Sequence, residues 1–262
     1  MDLNLSCKRA IVCGGTDGIG KAAALELALN GASITLVARN EDKLKKVISE
    51  LYSDNQQEHD YLVADFDQPE AVKEVAKDYM SSDKSVEILI NNSGGPAGGL
   101  AIDASLGDYH LAFNRHLVCN QILVQAFYQS MKNAGYGRII NVISTSVKSP
   151  LNGLGVSNTI RGAVANWSKT LANELGSFGI TVNNVLPGAT LTGRLQSIIE
   201  NKADKSGNSA VEISDKMKAE IPAGRFATAD EVAAAICFLA SPSAGYINGI
   251  NLPVDGGRLS CL

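Results

Sequence analysis

Near its start the chain reads Cys13-Gly14-Gly15-Thr16-Asp17-Gly18-Ile19-Gly20, a glycine-rich run between two segments of different character. The apolar run 10–12 before it is typical of a buried strand, and residues 21–28 after it are typical of a helix. Glycines permit a tight turn and a close approach of the backbone to a ligand, and the free N–H groups at a helix N-terminus attract an anion. Although glycines also serve plain turns, the run predicts binding of a dinucleotide pyrophosphate. Its candidate cofactor-binding residues are Gly14, Thr16, Asp17, Gly18, Ile19 and Gly20.

Outward from this turn, short β-type runs alternate with longer helical patterns. The strand candidates are Arg9–Cys13, Ser33–Val37, Asp60–Ala64, Val86–Ile90, Arg138–Ile143, Ile180–Val185 and Ile250–Val254. Most of them are continuous apolar runs, which favours strands that are buried on both faces. The longest helical patterns cover Leu106–Asn133 and Val156–Ser177. The alternation predicts an α/β fold, a single-domain doubly wound (Rossmann) parallel sheet flanked by helices.

Length and composition are consistent with one domain over residues 1–262, because 45% of the residues are apolar and 19% are charged. Residues 192–224 form a polar segment, which we expect to be a lid-like insertion. The net charge of −4 and the lack of a basic run argue against nucleic acid as a partner. No stretch approaches the ~20 apolar residues of a membrane span, and no apolar signal core opens the chain, so we expect a cytoplasmic protein without a membrane partner. Its five cysteines lack metal-ligand spacing, so neither a metal site nor a disulfide framework is expected.

The end of the second predicted strand indicates which dinucleotide is bound. A fold that prefers NAD usually places an acidic residue there, on the ribose 2′-hydroxyl. Here the strand ends in Val37-Ala38-Arg39-Asn40, without a carboxylate. The planar guanidinium of Arg39 can instead form paired hydrogen bonds with a 2′-phosphate, although it could also be an ordinary solvated charge. The sequence thus predicts NADP (NADPH) as the cofactor, with NAD less favoured.

Together these segments resemble the short-chain dehydrogenase/reductase family over nearly the whole chain. The matching pieces are Gly14…Gly18-Ile19-Gly20, Asp65, Asn91-Asn92-Ser93-Gly94, Arg138-Ile139-Ile140-Asn141-Val142 with Ser144, Asn183-Asn184-Val185-Leu186-Pro187-Gly188, and Val254-Asp255-Gly256-Gly257. The resemblance implies that Asp65 and Phe66 contact the adenine and that Asn92 and Gly94 line a ribose. It also implies that the nicotinamide is held by Pro187, Gly188, Thr190 and Thr192. A homotetramer or homodimer built on the two long helices is implied as well.

The chain departs from the family at the reaction centre. The family uses a serine, a tyrosine ~13 residues later and a lysine four residues after the tyrosine. Ser144 fits the serine, but Ser157 stands at the tyrosine position and Arg161 at the lysine position. His116 aligns with the family's supporting asparagine, although Asn114 lies close by. The candidate catalytic residues are thus Ser144, Ser157, Arg161 and His116, and Arg161 is also a candidate for binding the cofactor ribose.

These departures leave several functions open. An aliphatic hydroxyl cannot readily replace a phenol as an acid near neutral pH, and an arginine stays charged, so the proton donor must differ. His116, expected to titrate near neutrality, is one candidate; Lys148 and water are others. The favoured function is NADP-dependent hydride transfer to a carbonyl, or a related polarised double bond, of a small-molecule substrate. The alternatives are a non-catalytic NADP-binding sensor or partner subunit, and redox-neutral elimination chemistry on the same fold.

Overall fold

The computed structural model describes residues 1–53, 56–82 and 84–261 and contains one sheet of seven strands. The strands are β1 (Arg9–Cys13), β2 (Ser33–Ala38), β3 (Asp60–Val63), β4 (Ile88–Asn91), β5 (Gly137–Val142), β6 (Ile180–Pro187) and β7 (Asn251–Val254). They lie in the order β3-β2-β1-β4-β5-β6-β7, and every neighbouring pair is parallel. All predicted strands occur, with ends shifted by at most two residues. Because the order reverses direction beside β1, the carboxyl ends of β1 and β4 diverge into a crevice where ligands bind in such sheets.

Helices cover both faces of the sheet. They are α1 (Gly18–Leu29), α2 (Glu41–Ile48), α3 (Pro69–Met80), α4 (Leu106–Phe113), α5 (Cys119–Ala134), α6 (Gly155–Leu175), α7 (Gly193–Ser206), α8 (Ala210–Ala219) and α9 (Ala229–Ala240). Apolar residues of α1, α2 and α9 form one core with Ala10 and Val12, whereas those of α3, α5 and α6 form another with Ile11 and Cys13. The alternating side chains of β1 are therefore buried on both faces, which explains its continuous apolar run. The predicted doubly wound Rossmann fold is confirmed.

Two predicted segments have more internal structure than their sequence patterns suggest. The helix expected over Leu106–Asn133 is interrupted by a π-helical turn, Asn114–Val118, between α4 and α5. Residues 192–224 contain α7 and α8, which share a small apolar core of Leu195, Ile199 and Ile213 with Ile221 and Phe226. The polar insertion is therefore an ordered pair of helices, and its role as a lid stays a prediction. Over the described ranges, no helix combines the length and apolar character needed to cross a bilayer.

A row of four amides, three of them buried, crosses four strands of the sheet. Asn91, Asn141, Asn184 and Asn251 occupy matching positions on β4, β5, β6 and β7. Each amide nitrogen donates to the side-chain oxygen of the next residue, at 2.8, 3.1 and 2.8 Å. Ser168 of α6 also accepts from Asn141 and donates to Asn184. Because a shift of one residue would turn each amide to the other face of the sheet, the row fixes the register of the strand ends that carry the site.

Candidate active site

The turn after β1 requires its glycines. Gly14 and Gly18 have φ angles of +59° and +51°, in the left-handed region that favours glycine. A Cβ on Gly20 would lie 2.2 Å from the carbonyl oxygen of Gly14, closer than any real contact. The amide of Asn92 donates to the carbonyl oxygens of Cys13 and Gly14, at 3.2 and 3.4 Å. The structure thus brings the predicted residue Asn92 beneath the turn, where it supports the shape of the backbone.

The other residues of the turn have separate positions. Asp17 is the N-cap of α1, and its carboxylate accepts a hydrogen bond from the Gly18 N–H at 2.7 Å. Ile19 is partly buried and packs against the core beneath α1. A Cβ on Gly18 would lie 3.0 Å from Cγ2 of Thr192, so Gly18 allows the start of α7 to approach the turn. The helix N-terminus is therefore flanked on one side by the predicted residue Thr192.

A cleft runs along the carboxyl ends of the central strands, starting at the glycine turn. Seven of the predicted cofactor residues line it: Gly14, Thr16, Arg39, Asp65, Phe66, Asn92 and Gly94. Arg39 is exposed at the end of β2, and a Cβ on Gly94 would meet no atom within 4 Å. The cleft is therefore open above Gly94 and has a guanidinium at its far end, which suits an elongated anionic ligand.

An ion pair that was not predicted completes this cleft. Arg115, in the π-helical turn, donates from Nε to Asp67 at 2.6 Å and from Nη1 to the carbonyl oxygen of Gly94 at 3.3 Å. The pair neutralises the Asp67 carboxylate, so this side chain does not repel an anion in the cleft. The place of Asp67, just past the end of β3, was an available signal. For Arg115 the sequence offers no such signal, because the direction of its side chain depends on the π-helical turn.

Beyond the cleft, the chain leaving β6 turns back towards α1. Gly188 donates its N–H to the carbonyl oxygen of Val254 at 2.9 Å, which ties the end of Pro187 to β7. The Thr190 hydroxyl donates to the carbonyl oxygen of Gly188 at 3.2 Å, and the Thr192 hydroxyl donates to that of Thr190 at the same distance. Thr192 is also the N-cap of α7. The two threonines therefore order the loop that joins β6 to the helical insertion.

The predicted serines lie on the other side of the crevice. Ser144 follows β5, and its oxygen accepts a hydrogen bond from the Ser146 N–H at 3.1 Å. Because that oxygen serves as the acceptor, the hydroxyl proton of Ser144 is available to a ligand. Ser157 lies in the first turn of α6, partly buried, and its hydroxyl has no hydrogen-bond partner within the described ranges. Lys148, the other candidate donor near Ser144, is exposed.

Arg161 connects α6 to the end of β5. It lies one helical turn after Ser157, and its Nη1 donates to the carbonyl oxygen of Val142 at 3.1 Å. The side chain is buried at 8% exposure. Burial, together with the positive charge of Arg194, lowers the pKa of Arg161 to about 10. The guanidinium therefore still carries a positive charge at neutral pH, in surroundings that hold it away from water.

His116 is also buried, at 1% exposure, in the π-helical turn. Its Nδ1 is 2.7 Å from the Ser93 hydroxyl, whereas its Nε2 has no hydrogen-bond partner among the described residues. Burial, reinforced by the charges of Arg161, Arg115 and Arg194, lowers the pKa of His116 to about 2. The expectation that His116 titrates near neutrality is therefore wrong, because desolvation and like charges both disfavour the imidazolium. At neutral pH it is a neutral imidazole with no acidic proton to give.

No cluster of potential metal ligands occurs within residues 1–53, 56–82 and 84–261. The cysteines Cys13, Cys119 and Cys237 are free and buried. Burial raises the pKa of the Cys119 thiol to about 12. This thiol also donates a hydrogen bond to the carbonyl oxygen of Phe66. These thiols are therefore protonated at neutral pH, and a protonated thiol is a poor metal ligand and nucleophile.

Residues 14–258 match the family model described as enoyl-(acyl carrier protein) reductase. The chain belongs to the short-chain dehydrogenase/reductase family. The 3-oxoacyl-[acyl-carrier-protein] reductase FabG of Vibrio cholerae is 33% identical over 257 residues, which cover 97% of this chain and 98% of that protein. The NADPH-dependent reductase BacG of Bacillus subtilis is 29% identical over 259 residues, 98% of this chain and all of that protein.

Solved structures of reductases share the fold over nearly the full length of this chain. The L-sorbose reductase of Gluconobacter frateurii, in complex with NADPH and L-sorbose, superposes with a TM-score of 0.93 at 30% identity, and all of both chains is covered. The crystal structure of YwfH, an NADPH-dependent reductase involved in bacilysin biosynthesis, gives a TM-score of 0.91 at 29% identity, covering 98% of this chain and 100% of that chain. The crevice described above therefore belongs to a family of oxidoreductases.

We predict that His116 makes this short-chain dehydrogenase/reductase sensitive to acid. As the pH falls below 6.5, the ordinary pKa of the imidazole, the unfolded chain binds a proton that the folded chain does not bind until about pH 2. Stability is thus fully present above the unfolded pKa and is lost as the pH falls through this window, by up to about 1.4 kcal/mol per pH unit. His116→Gln should flatten the dependence of the unfolding free energy on pH between roughly 6 and 4, as measured by urea denaturation. Parallel curves for the two proteins would contradict the prediction.

Proposed function

We propose that this protein is an NADP-dependent reductase that transfers a hydride to the carbonyl of a small-molecule substrate. FabG, BacG and L-sorbose reductase are reductases by name, and two of the solved neighbours contain or depend on NADPH. The observation that carries the proposal is the position of Arg161, a buried cation one helical turn from Ser157 at the end of β5. A fixed positive charge at this edge of the sheet would stabilise an oxyanion that forms when a carbonyl is reduced.

The residues of the cleft fit the proposed cofactor. The turn from Gly14 to Gly20 would hold the pyrophosphate at the N-terminus of α1. This turn is so tight that a side chain at Gly20 would collide with the Gly14 backbone, and the absence of side chains lets a ligand approach the backbone closely. Arg39 lies at the end of the cleft where a 2′-phosphate would be held, and no carboxylate stands at the end of β2. Asp65 and Phe66 would contact the adenine, and Asn92 and Gly94 a ribose. Pro187, Gly188, Thr190 and Thr192 would hold the nicotinamide side, with Arg161 on its ribose.

The side chains then have distinct roles in the proposed reaction. When bound, NADPH supplies the hydride and becomes NADP⁺. Ser144 and Ser157 donate hydrogen bonds to the substrate oxygen, because neither hydroxyl proton is committed to a described partner. Arg161 stabilises the alkoxide that forms as the carbonyl carbon accepts the hydride. Because His116 is neutral, the alkoxide takes its proton from water or from Lys148, the two candidate donors left open. Lack of a positioned acid lowers the rate by roughly 10²–10⁴-fold, which slows hydride transfer without abolishing it.

A second function is favoured by one observation, the serine at position 157. Without a phenol beside Arg161, the fold could bind NADP as a sensor or as the partner of an active subunit. Redox-neutral elimination on the same fold is less favoured, because the glycine turn and Arg39 are retained. Titration of the protein with NADPH separates the cofactor-free chemistry from the other two functions.

The experiment that tests the proposed function is isotope transfer. The protein is incubated with C4-deuterated NADPH and a panel of ketones, diketones and acyl thioesters, and the products are analysed by mass spectrometry. Deuterium at a former carbonyl carbon is expected, and Ser144→Ala should lower its rate of appearance. Absence of label, with NADPH binding measured in the same sample, would favour the sensor or partner-subunit function.

We predict that Arg39 determines the choice of cofactor. Removing a guanidinium from a phosphate breaks charge-assisted hydrogen bonds that contribute about 1.5–3 kcal/mol, so Arg39→Ala should weaken NADPH binding by roughly 10–100-fold and change NADH binding little. Calorimetric titration with each nucleotide measures both effects. Lys77→Ala, on an exposed position of α3 that does not line the cleft, removes the same charge as a control. Equal losses for NADPH and NADH in Arg39→Ala would exclude the 2′-phosphate contact.

The proposed assembly is a homotetramer or homodimer. Leu106, Leu111 and Phe113 of α4 and Tyr128 of α5 are large apolar residues exposed on neighbouring helices, with exposures from 37% to 78%. Exposed large apolar side chains on these helices support an interface here. Light scattering coupled to size-exclusion chromatography measures the assembly directly.

A further inference from the structure

The loop after β4 and the start of α7 bring two guanidinium groups together. A Cβ on Gly95 would lie 3.5 Å from Nη2 of Arg194, 3.7 Å from its Nε and 3.8 Å from Nη2 of Arg161. Arg194 lies in the first turn of α7 and donates to the carbonyl oxygen of Pro96. Both arginines therefore border the space that the missing side chain of Gly95 leaves open.

Neither charge is neutralised within the described part of the chain. The ion pairs among residues 1–53, 56–82 and 84–261 include Arg9, Arg115, Arg225 and Arg258, but none includes Arg161 or Arg194. The two cations repel each other, and Arg161 is buried, where an uncompensated charge is unfavourable. The neighbouring His116 is neutral and leaves Nε2 without a partner. An anion at this point would relieve both the repulsion and the cost of burial.

We propose that Arg161 and Arg194, on either side of Gly95, form a subsite for the carboxylate of the substrate. The proposal rests on the reductase function given above, since Arg161 lies at the carbonyl that would be reduced. A carboxylate held between Arg194 and Arg161, while the oxygen of the reacting carbonyl also faces Arg161, must be close to that carbonyl. The preferred substrates are therefore 2-oxo acids, or acids with a similarly close carbonyl, rather than neutral ketones. Arg161 forms the buried side of the subsite, and the exposed Arg194 forms its entrance.

One other source of negative charge is the cofactor's own pyrophosphate, because Arg194 follows Thr192 and Thr192 approaches the glycine turn. The test therefore measures the acid and the cofactor separately. Benzoylformate and its methyl ester share a carbonyl and an aromatic ring and differ in charge. Their affinities for the NADP⁺-loaded protein are measured by calorimetry, which requires no turnover.

We expect benzoylformate to bind at least about tenfold more tightly than its ester, as charge-assisted hydrogen bonds imply. Arg194→Gln should reduce this preference to roughly twofold or less, and Arg194→Lys should retain part of it. Gly95→Ala should also reduce it, because its methyl group would make ordinary van der Waals contacts with both guanidiniums and occupy the open space. Lys202→Gln, an exposed charge on the same helix, is the matched control and should leave the preference unchanged.

Two outcomes would overturn the subsite. If wild-type protein binds the acid and the ester equally, no carboxylate is recognised. If Arg194→Gln weakens NADP⁺ as much as it weakens benzoylformate, Arg194 serves the cofactor pyrophosphate instead. Failure of the reductase function can be distinguished from failure of the subsite, because the two are measured separately. A protein that transfers no deuterium can still bind the acid more tightly than the ester, and a reductase of neutral ketones can bind both equally.

Discussion

Arg161→Met is expected to lower kcat/KM by roughly 10²–10³-fold without making the fold less stable. Removal of a group that stabilises an oxyanion has an effect of this size in other enzymes. Stability should respond differently, because Arg161 is buried and none of the described carboxylates pairs with it. Replacing a buried charge by an apolar side chain of similar length is often neutral or stabilising. We therefore expect the free energy of unfolding to stay within about 1 kcal/mol of wild type or to rise.

The measurements are steady-state kinetics with a substrate found by deuterium transfer, and urea denaturation of the protein without nucleotide. Arg161→Lys is the matched variant, because it keeps a cation and loses the planar group that donates to the Val142 carbonyl oxygen. It should be more active than Arg161→Met. If Arg161→Met lost stability and activity together while Arg161→Lys recovered neither, the arginine would be structural.

Gly20→Ala is expected to weaken NADPH binding by roughly 10²–10⁴-fold. The added methyl group would lie 2.2 Å from the Gly14 carbonyl oxygen and 2.6 Å from Nδ2 of Asn92, so the turn must move. A displaced turn would lose about two charge-assisted hydrogen bonds from backbone N–H groups to the pyrophosphate, each contributing about 1.5–3 kcal/mol. The strained turn should also lower the unfolding free energy by about 1–3 kcal/mol. Calorimetry with NADPH and thermal denaturation measure the two effects.

Gly162→Ala is the control for this substitution. Gly162 is exposed in the interior of α6, and a Cβ there would meet no atom within 4 Å. Alanine is the better helix former, so this variant should gain about 0.5–1 kcal/mol of stability and bind NADPH as wild type does. Similar NADPH affinities for the two variants would show that the turn tolerates a side chain and that Gly20 is dispensable.

The sheet could be predicted from the sequence because each central strand is a short apolar run bounded by helical patterns. The residues that face the cleft were predictable for a related reason: Arg39, Asp65 and Asn92 come within two residues of the ends of strands, and the ends of parallel strands share one edge. The prediction of one continuous helix over 106–133 was wrong, because a π-helical turn separates α4 from α5. The π-helical turn that interrupts it has no distinctive composition, and it sets the directions of Arg115 and His116.

What the sequence could not give was the electrostatic environment of the site. Residue type predicts a histidine that titrates near neutrality, whereas burial among three arginines makes His116 neutral. The meeting of Arg161 with Arg194 depends on how the loop at Gly95 and the start of α7 fold over α6, a tertiary contact without a local pattern. The spacing in the sequence predicts that Ser157 and Arg161 are neighbours on one helix face. Whether a carboxylate compensates the charge of Arg161 depends on the positions of all the surrounding groups, which only the structure provides.

The amide row across β4 to β7 has a consequence for how this protein can evolve. Asn141 and Asn184 each donate to one neighbour and accept from the other, so the row is a directional chain of hydrogen bonds that starts at Asn91 and ends at Asn251. An apolar substitution at Asn141 would leave the buried amide donor of Asn91 without its acceptor, and one at Asn184 would leave the side-chain oxygen of Asn251 without its donor. Single changes along the row should therefore be rejected even though none of the four amides lines the cleft. Divergence of the surrounding active site can proceed residue by residue, whereas this row can only be exchanged as a set.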